Sequence, residues 1–114
     1  MPRRIYLENS VTGEIFEFPE VQGISIGRAK ENNYILPDPK VSRIHCILQR
    51  HDLKDTTEIQ DDLSSVLTIT DMGSKNKTYV NKEKIPDDKE TKVPLHNDDV
   101  LTIGPYELIV KILG

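Results

Sequence analysis

A hydrophobic alternation with a period of two recurs along the chain and constrains its fold more than any other feature. It is longest near the C-terminus, where Tyr106, Leu108, Val110 and Ile112 alternate with Glu107, Ile109 and Lys111. Shorter runs of the same kind occupy residues 4–8, 15–18, 23–26, 44–49 and 67–70. This alternation is typical of β-strands that bury one face, whereas helices would show a period near 3.6 residues.

Turn-forming residues separate these runs, as at Pro37, Asp38 and Pro39 and at Gly104 and Pro105. Many short strands at close spacing indicate an all-β fold, a two-sheet β-sandwich of about ten strands by the usual spacing. The chain has 114 residues, the size of one ordinary domain, so we expect residues 1–114 to form a single domain. The acidic, turn-rich stretch 50–65 is predicted to be its most mobile loop.

The sequence predicts an intracellular protein, nuclear or cytoplasmic, that does not bind membranes. No apolar run approaches the ~20 residues that span a bilayer, and the N-terminus lacks a signal-type segment. Cys46 is the only cysteine, so we expect a small buried hydrophobe and no internal disulfide. The three histidines, His45, His51 and His96, show no metal-ligand spacing, and we expect neither a metal nor a cofactor.

The charge of the chain is segregated. The formal net charge is −4, which argues against nucleic acid as a partner, because phosphate contacts dominate nucleic-acid affinity. Yet eight of the 15 basic residues fall in two short windows, 28–43 and 71–84, while residues 50–62 are mainly acidic. A local anion-binding site is therefore possible on an acidic domain.

Three loop segments hold the residues best suited to binding. They are Gly27-Arg28 at the end of an apolar run, Ser42-Arg43-Ile44-His45, and Gly73-Ser74-Lys75-Asn76-Lys77-Thr78. These segments resemble the forkhead-associated (FHA) domain family in its Gly-Arg, Ser-x-x-His and Gly-Ser-x-Asn-Gly-Thr motifs. The segment from Leu95 to Gly104 is similar to the C-terminal signature of that family. The likeness covers nearly the whole chain, from about Arg4 to Ile112, and the motifs follow the order of the family.

The resemblance implies an FHA/SMAD-like sandwich of about eleven strands that recognises phosphothreonine peptides through loops at one end. It implies that Arg28 and Ser42 bind the phosphate and that Asn76 hydrogen-bonds the backbone of the bound peptide. Arg43, Lys75 and Lys77 would be flanking contacts. Gly27, His45, Gly73 and Thr78 would support the loops. A preference for threonine over serine also follows from the family.

The chemistry of these residues suits such a ligand independently. A phosphomonoester carries roughly −1.5 to −2 charges near neutral pH, and the planar fork of an arginine matches its oxygens. A serine hydroxyl adds a compact donor, and an asparagine amide can donate and accept together. Two or three charge-assisted hydrogen bonds, less ordering costs, suggest an affinity on the order of micromolar. The partner is thus expected to be a phosphothreonine-containing protein or peptide.

Two positions depart from the family pattern. Lys77 and Asp98 stand where the family usually has glycine, which reaches positive φ without steric cost. Lys77 either alters the loop backbone or adds a basic contact, so the alternative is an FHA-like scaffold that has lost phosphate binding. The loops at residues 75–84 and 97–105 are expected to read the sequence around the phosphothreonine. Because the family often occurs within larger signalling or DNA-damage proteins, we expect the chain to be either a monomer or an excised portion of such a protein.

A hydrolase that uses Ser42 and His45 is the rival reading of these motifs. In an extended segment, side chains three residues apart lie roughly 10 Å apart and on opposite faces. A nucleophile and its base need a hydrogen bond of about 3 Å. We therefore expect the protein not to be an enzyme.

Overall fold

The computed structural model describes residues 3–53 and 65–114. Over these ranges it contains eleven β-strands and no helix. The strands are β1 (Arg4–Asn9), β2 (Ile15–Glu17), β3 (Gly23–Gly27), β4 (Tyr34–Ile35), β5 (Cys46–Arg50), β6 (Leu67–Asp71), β7 (Thr78–Val80), β8 (Glu83–Lys84), β9 (Val93–Leu95), β10 (Val100–Ile103) and β11 (Tyr106–Leu113).

The strands form two sheets, which confirms the predicted β-sandwich. The six-stranded sheet has the order β2-β1-β11-β10-β7-β8, and the five-stranded sheet has the order β4-β3-β5-β6-β9. Only the β3–β4 pair is parallel among the strand pairs of the described residues. The eleven strands confirm the number that the resemblance implied and lie close to the spacing estimate of about ten. Alternation could not reveal β4 and β8, which have two residues each.

The period-two pattern builds the core between the sheets. The inward residues of β1, β3 and β11 are Ile5, Leu7, Ile24, Ile26, Leu108 and Val110, and each is buried as predicted. Full burial of such a side chain stabilises the fold by about 1.5–3 kcal/mol. Cys46 is also fully buried, and desolvation raises the pKa of its thiol, so it acts as the small hydrophobe expected.

The strand registers bring the candidate loops to one end of the sandwich. Cys46 at the start of β5 pairs with Ile26 near the end of β3 and with Asp71 at the end of β6. In the other sheet, Thr78 at the start of β7 pairs with Ile103 at the end of β10. The loops 28–33, 36–45, 72–77 and the turn at 104–105 therefore leave the sheets at the same end. The turns at residues 81–82 and 97–99 lie at the other end, so the expectation that loops 75–84 and 97–105 read the peptide is wrong for these residues.

Two predictions about strand β5 need correction. The strand begins at Cys46 and not at Ile44, whose side chain is 51% exposed, because the residues before it form turns. The predicted mobile loop 50–65 does not include Arg50, which belongs to β5 and is buried. The rest of that prediction concerns mainly residues 54–64, which lie outside the described residues.

The long edges of the sandwich are closed or blunted. On one side, the rings of Phe16 in β2 and Tyr34 in β4 stack with centroids 4.3 Å apart and join the two sheets. On the other side, β8 is short and charged, and β9 carries Pro94, which has no amide hydrogen for a further strand. Residues 3–53 and 65–114 contain no helix able to cross a membrane and no cluster of metal-ligating side chains.

A buried ion pair holds the end of the sandwich opposite the candidate loops. Arg50 Nε donates to Asp52 Oδ1 at 2.8 Å, and the two side chains are only 1% and 8% exposed. The same guanidinium donates to the carbonyl oxygens of Pro19 and Arg3, while the amide of Arg3 donates to Asp52 Oδ2 at 2.7 Å. The pair therefore connects β5 to the start of β1 and to the β2–β3 loop.

The pair predicts that the fold is sensitive to acid. Burial opposes ionisation of Asp52, but the hydrogen bonds from Arg50 and Arg3 outweigh it and lower the pKa of that carboxyl. Because the folded pKa is depressed, its contribution is complete above the unfolded value near pH 4 and is lost as pH falls through the folded value. The Asp52→Asn substitution should therefore lower the free energy of unfolding by about 3 kcal/mol at pH 7 and by less near pH 3, below the unfolded value.

Urea denaturation of both proteins at the two pH values measures this effect. The control is Glu17→Gln, which removes the same charge from the exposed Arg4–Glu17 pair and should change stability little. Equal losses in the two variants, or a loss that does not depend on pH, would contradict the assignment.

Candidate functional site

The site is built at the end of strand β3, where the close approach of another segment requires a glycine. A Cβ atom on Gly27 would lie 2.1 Å from the carbonyl oxygen of Arg43 and 2.8 Å from Asn32 Nδ2. Only the absence of a side chain lets residue 43 cross so closely against β3. This crossing places Arg28 beside Ser42, whose carbonyl oxygen accepts from the Arg28 amide at 2.9 Å.

Asn32 locks the crossing and was not singled out from the sequence. Its Nδ2 donates to the carbonyl oxygens of Ala29 and Arg43, both at 2.7 Å, and the residue is buried. The amide therefore ties the β3–β4 loop that carries Arg28 to the β4–β5 loop that carries Ser42. The sequence showed two adjacent asparagines there, which indicated a turn but not a buried tie.

His45 connects two of the loops through its ring. The amide of Ser42 donates to Nδ1 at 3.1 Å, and the ring is bonded through Nε2 to the carbonyl oxygen of Lys77 at 2.8 Å. A backbone donor on one nitrogen and a backbone acceptor on the other assign the neutral Nε2–H tautomer. The ring is fully buried, and it links the β4–β5 loop to the β6–β7 loop.

These contacts show that Ser42 and His45 lie close together but do not form the nucleophile–base pair that a hydrolase would need. Ser42 and His45 are close, not about 10 Å apart, because residues 42–45 form turns and not a strand. Both ring nitrogens of His45 contact backbone groups and not the Ser42 hydroxyl. Residues 23–27 do read Gly-Ile-Ser-Ile-Gly, a pattern found at nucleophile elbows, but all five lie within strand β3 and no helix follows them.

Asp71 at the end of β6 shapes the β6–β7 loop from inside. Its Oδ1 accepts from the hydroxyls of Ser74 at 2.5 Å and Thr78 at 2.6 Å, and its Oδ2 accepts from the amides of Gly73 and Ser74, both at 2.9 Å. Burial opposes ionisation of this fully buried carboxyl, but the four hydrogen bonds outweigh it and lower its pKa. Gly73 adopts a φ of 77°, which a glycine reaches without strain.

Both positions where the family usually has glycine keep the glycine-like backbone. Lys77 has a φ of 67° and Asp98 a φ of 76°. For a lysine this costs about 1–2 kcal/mol, so surrounding contacts must hold it. The carbonyl of Lys77 is bound by His45, and its ammonium lies 2.7 Å from Asp87 Oδ2. The substitution therefore changes the side chain and leaves the conformation of the loop in place.

The three loops meet at the segment from Lys40 to Ser42. Arg28 Nε donates to the carbonyl oxygen of Val41 at 2.9 Å. The Lys75 amide donates to Ser42 Oγ at 2.9 Å, and Asn76 Nδ2 donates to the carbonyl oxygen of Lys40 at 2.8 Å. The turn at Gly104 packs directly against this segment, so closely that a Cβ on Gly104 would lie 2.9 Å from Val41 Cγ2.

Three cations of the site lack a carboxylate partner among the described residues. Arg28, Arg43 and Lys75 are exposed, and within residues 3–53 and 65–114 none of them forms an ion pair. Lys77 differs, because its hydrogen bond with Asp87 raises the pKa of the ammonium and lowers the pKa of the carboxyl. The end of the sandwich thus presents uncompensated positive charge on a protein of net charge −4.

Comparison with solved structures shows the same fold. A phosphopeptide complex of Mycobacterium tuberculosis EmbR has a TM-score of 0.78 at 22% identity, covering 97% of this chain but only 25% of that one. A structure titled for phosphothreonine-dependent FHA domain interactions has a TM-score of 0.73 at 23% identity, covering 97% and 98%. The FHA domain of an Arabidopsis thaliana hypothetical protein has a TM-score of 0.76 at 21% identity, covering 99% and 88%.

Sequence comparison identifies the family. A search of curated proteins gave no match. The family model described as the FHA domain matches residues 24–104, which include every loop of the site. The chain belongs to the forkhead-associated (FHA) domain family.

Proposed function

We propose that the chain binds a phosphothreonine of a partner protein and so mediates phosphorylation-dependent association. The observation that carries this proposal is the placement of Arg28, whose amide donates to the Ser42 carbonyl oxygen and whose side chain is held by the Val41 carbonyl oxygen. Among the described residues it has no carboxylate partner. A dianionic phosphate supplies the missing counter-charge and the missing acceptors.

Arg28 is oriented before any ligand arrives. Its Nε is used by the Val41 carbonyl, so its two terminal nitrogens carry the donors that face a ligand. Because the guanidinium is already held, binding a phosphate costs less side-chain entropy than it would for a free arginine. Arg43 and Lys75, which are also exposed, add flanking positive charge.

Ser42 and Asn76 each keep one hydrogen-bonding group for a ligand, a hydroxyl donor on Ser42 and a carbonyl acceptor on Asn76. Ser42 Oγ already accepts from the Lys75 amide, so its hydroxyl hydrogen is directed to another acceptor, which in the complex is a phosphate oxygen. Asn76 Nδ2 is used by the Lys40 carbonyl, and no described residue donates to its Oδ1. That oxygen can accept a backbone amide of the bound peptide, which positions the peptide next to its phosphate.

The relatives support the same ligand class. The EmbR structure is a complex with a low-affinity phosphopeptide, and another similar structure concerns phosphothreonine-dependent FHA domain interactions. This chain spans about a quarter of the EmbR chain. The likeness therefore supports a ligand class for this domain, and the activity of the larger EmbR protein is not attributed to this chain. The glycine-like φ of Lys77 removes the reason for the alternative, a scaffold that has lost phosphate binding.

Substitution of Arg28 tests the proposal. The Arg28→Ala variant should bind phosphothreonine peptides at least about 100-fold more weakly, because it loses two charge-assisted hydrogen bonds. Fluorescence anisotropy with a phosphothreonine peptide library and its unphosphorylated twin measures the loss, and circular dichroism checks the fold.

The matched control is Arg4→Ala, which removes the same charge from the start of β1 at the opposite end of the sandwich. It should bind like the wild type. Unchanged affinity in a folded Arg28→Ala variant, or an equal loss in the two variants, would refute the phosphate site.

Peptide affinity should also depend on pH. Between pH 7.5 and 5 the phosphate passes through its second pKa near 6 and loses about one charge, so affinity should fall below about pH 6. The pKa values of Asp71 and Asp87 are lowered by their hydrogen bonds, so these carboxyls stay ionised over this range and do not account for the loss. Calorimetry across the range measures the effect, and a flat profile would rule out a dianion as the recognised species.

A further inference from the structure

The Lys77–Asp87 ion pair occupies the rim of the proposed binding surface. Lys77 follows Asn76 directly, and Asp87 lies in the loop between β8 and β9. Lys77 Nζ and Asp87 Oδ2 are 2.7 Å apart, and the side chains are 35% and 44% exposed. A ligand that passes Asn76 can therefore reach both members of the pair.

The two partners are held to different extents. The backbone of Lys77 is fixed through His45, as described above, so its ammonium extends from a rigid loop. Asp87 is two residues beyond Ile85, whose amide donates to the Thr78 carbonyl at 3.0 Å and whose side chain is buried. Residues 86–90, in contrast, are all exposed. Asp87 is thus the more easily displaced partner.

Asp87 stands where a ligand anion would stand. Its carboxylate faces Lys77 and also lies in the field of Lys84, the last residue of β8. Exposed ion pairs contribute little net free energy, because solvent screens them. Exchange of this carboxylate for an equivalent group on a ligand is therefore nearly neutral, and exchange for a phosphate is favourable.

We infer that Lys77 is a second anion subsite that Asp87 fills in the free protein, so that the site favours phosphothreonine peptides carrying a further anionic group able to replace Asp87. This inference rests on the proposed function and names the ligand class within it. The further group is a carboxylate of the peptide or a second phosphate, because both present oxygen acceptors to the ammonium.

A simpler role for the pair makes the opposite prediction. If Asp87 only anchors the β8–β9 loop to the β6–β7 loop, its removal leaves peptide affinity unchanged or lowers it. If Asp87 competes with the ligand, its removal raises affinity, and it does so only when Lys77 is present and the peptide carries the extra anion.

A double-mutant cycle separates the two roles. The proteins are the wild type, Asp87→Asn, Lys77→Gln and the double variant, with Asp98→Asn as the matched control. Asp98 pairs with Lys111 on the turn before β10, at the opposite end of the sandwich, and asparagine tolerates its positive φ. The probes are fluorescein-labelled phosphothreonine peptides with neutral flanks, with one glutamate moved through each flanking position, and with phosphoserine at the best glutamate position.

The competitor role predicts that Asp87→Asn tightens binding of the best glutamate peptide by about two- to fivefold relative to the neutral-flank peptide. Phosphoserine at that position should exceed glutamate in the wild type, because its greater charge displaces Asp87 more completely. Both effects should be absent with Lys77→Gln, and Asp98→Asn should show neither.

Three results would overturn the inference while leaving phosphothreonine binding intact. They are an equal gain for neutral and acidic peptides, a gain that persists with Lys77→Gln, and a gain matched by Asp98→Asn. An unchanged or lowered affinity of Asp87→Asn for the best glutamate peptide would overturn it as well and would assign Asp87 the anchoring role. Failure of the wild type to bind any phosphothreonine peptide would instead reject the proposed function and this inference together.

Discussion

The binding end of the sandwich depends on one buried carboxylate. Asp71 ends the central strand β6 and satisfies two amides and two hydroxyls of the loop that follows. Without it the buried donors of Ser74 and Thr78 would be unpaired, which costs about 1–3 kcal/mol each. In this loop conformation the Lys75 backbone amide donates to Ser42 and the Asn76 side-chain amide donates to Lys40. Asp71 therefore determines where the binding groups lie, although it need not contact the ligand.

The same arrangement explains how an acidic protein can present an anion site. Two of its buried acids are satisfied locally, Asp71 by hydrogen bonds from loop amides and hydroxyls and Asp52 by the ion pair with Arg50 at the other end of the sandwich. Among the described residues, this leaves Arg28, Arg43 and Lys75 without carboxylates where the loops converge. A net charge of −4 is therefore compatible with a local field that attracts a phosphate.

The sequence predicted the features that depend on local pattern. Alternation such as Leu108 and Val110 identified the strands, and the ordered motifs identified the loops. It did not reveal β4 and β8, which are too short for a period, or the exposed side chain of Ile44, whose segment turns before β5 begins. It also missed Asn32 and the Arg50–Asp52 pair, because polar residues read as turn or surface until tertiary contacts bury them. The effect of Lys77 depended on its φ and its partner Asp87, neither of which a sequence states.

The most direct test of the account is a nuclear magnetic resonance titration of isotope-labelled protein with a phosphothreonine peptide. If the three loops form one preorganised site, the amides of Arg28, Ser42, Lys75 and Asn76 should shift together along a single binding curve. The amides around Asp52 and Asp98, at the other end of the sandwich, should stay in place. Shifts that spread over an outer sheet face, or that bypass these loops, would contradict the account.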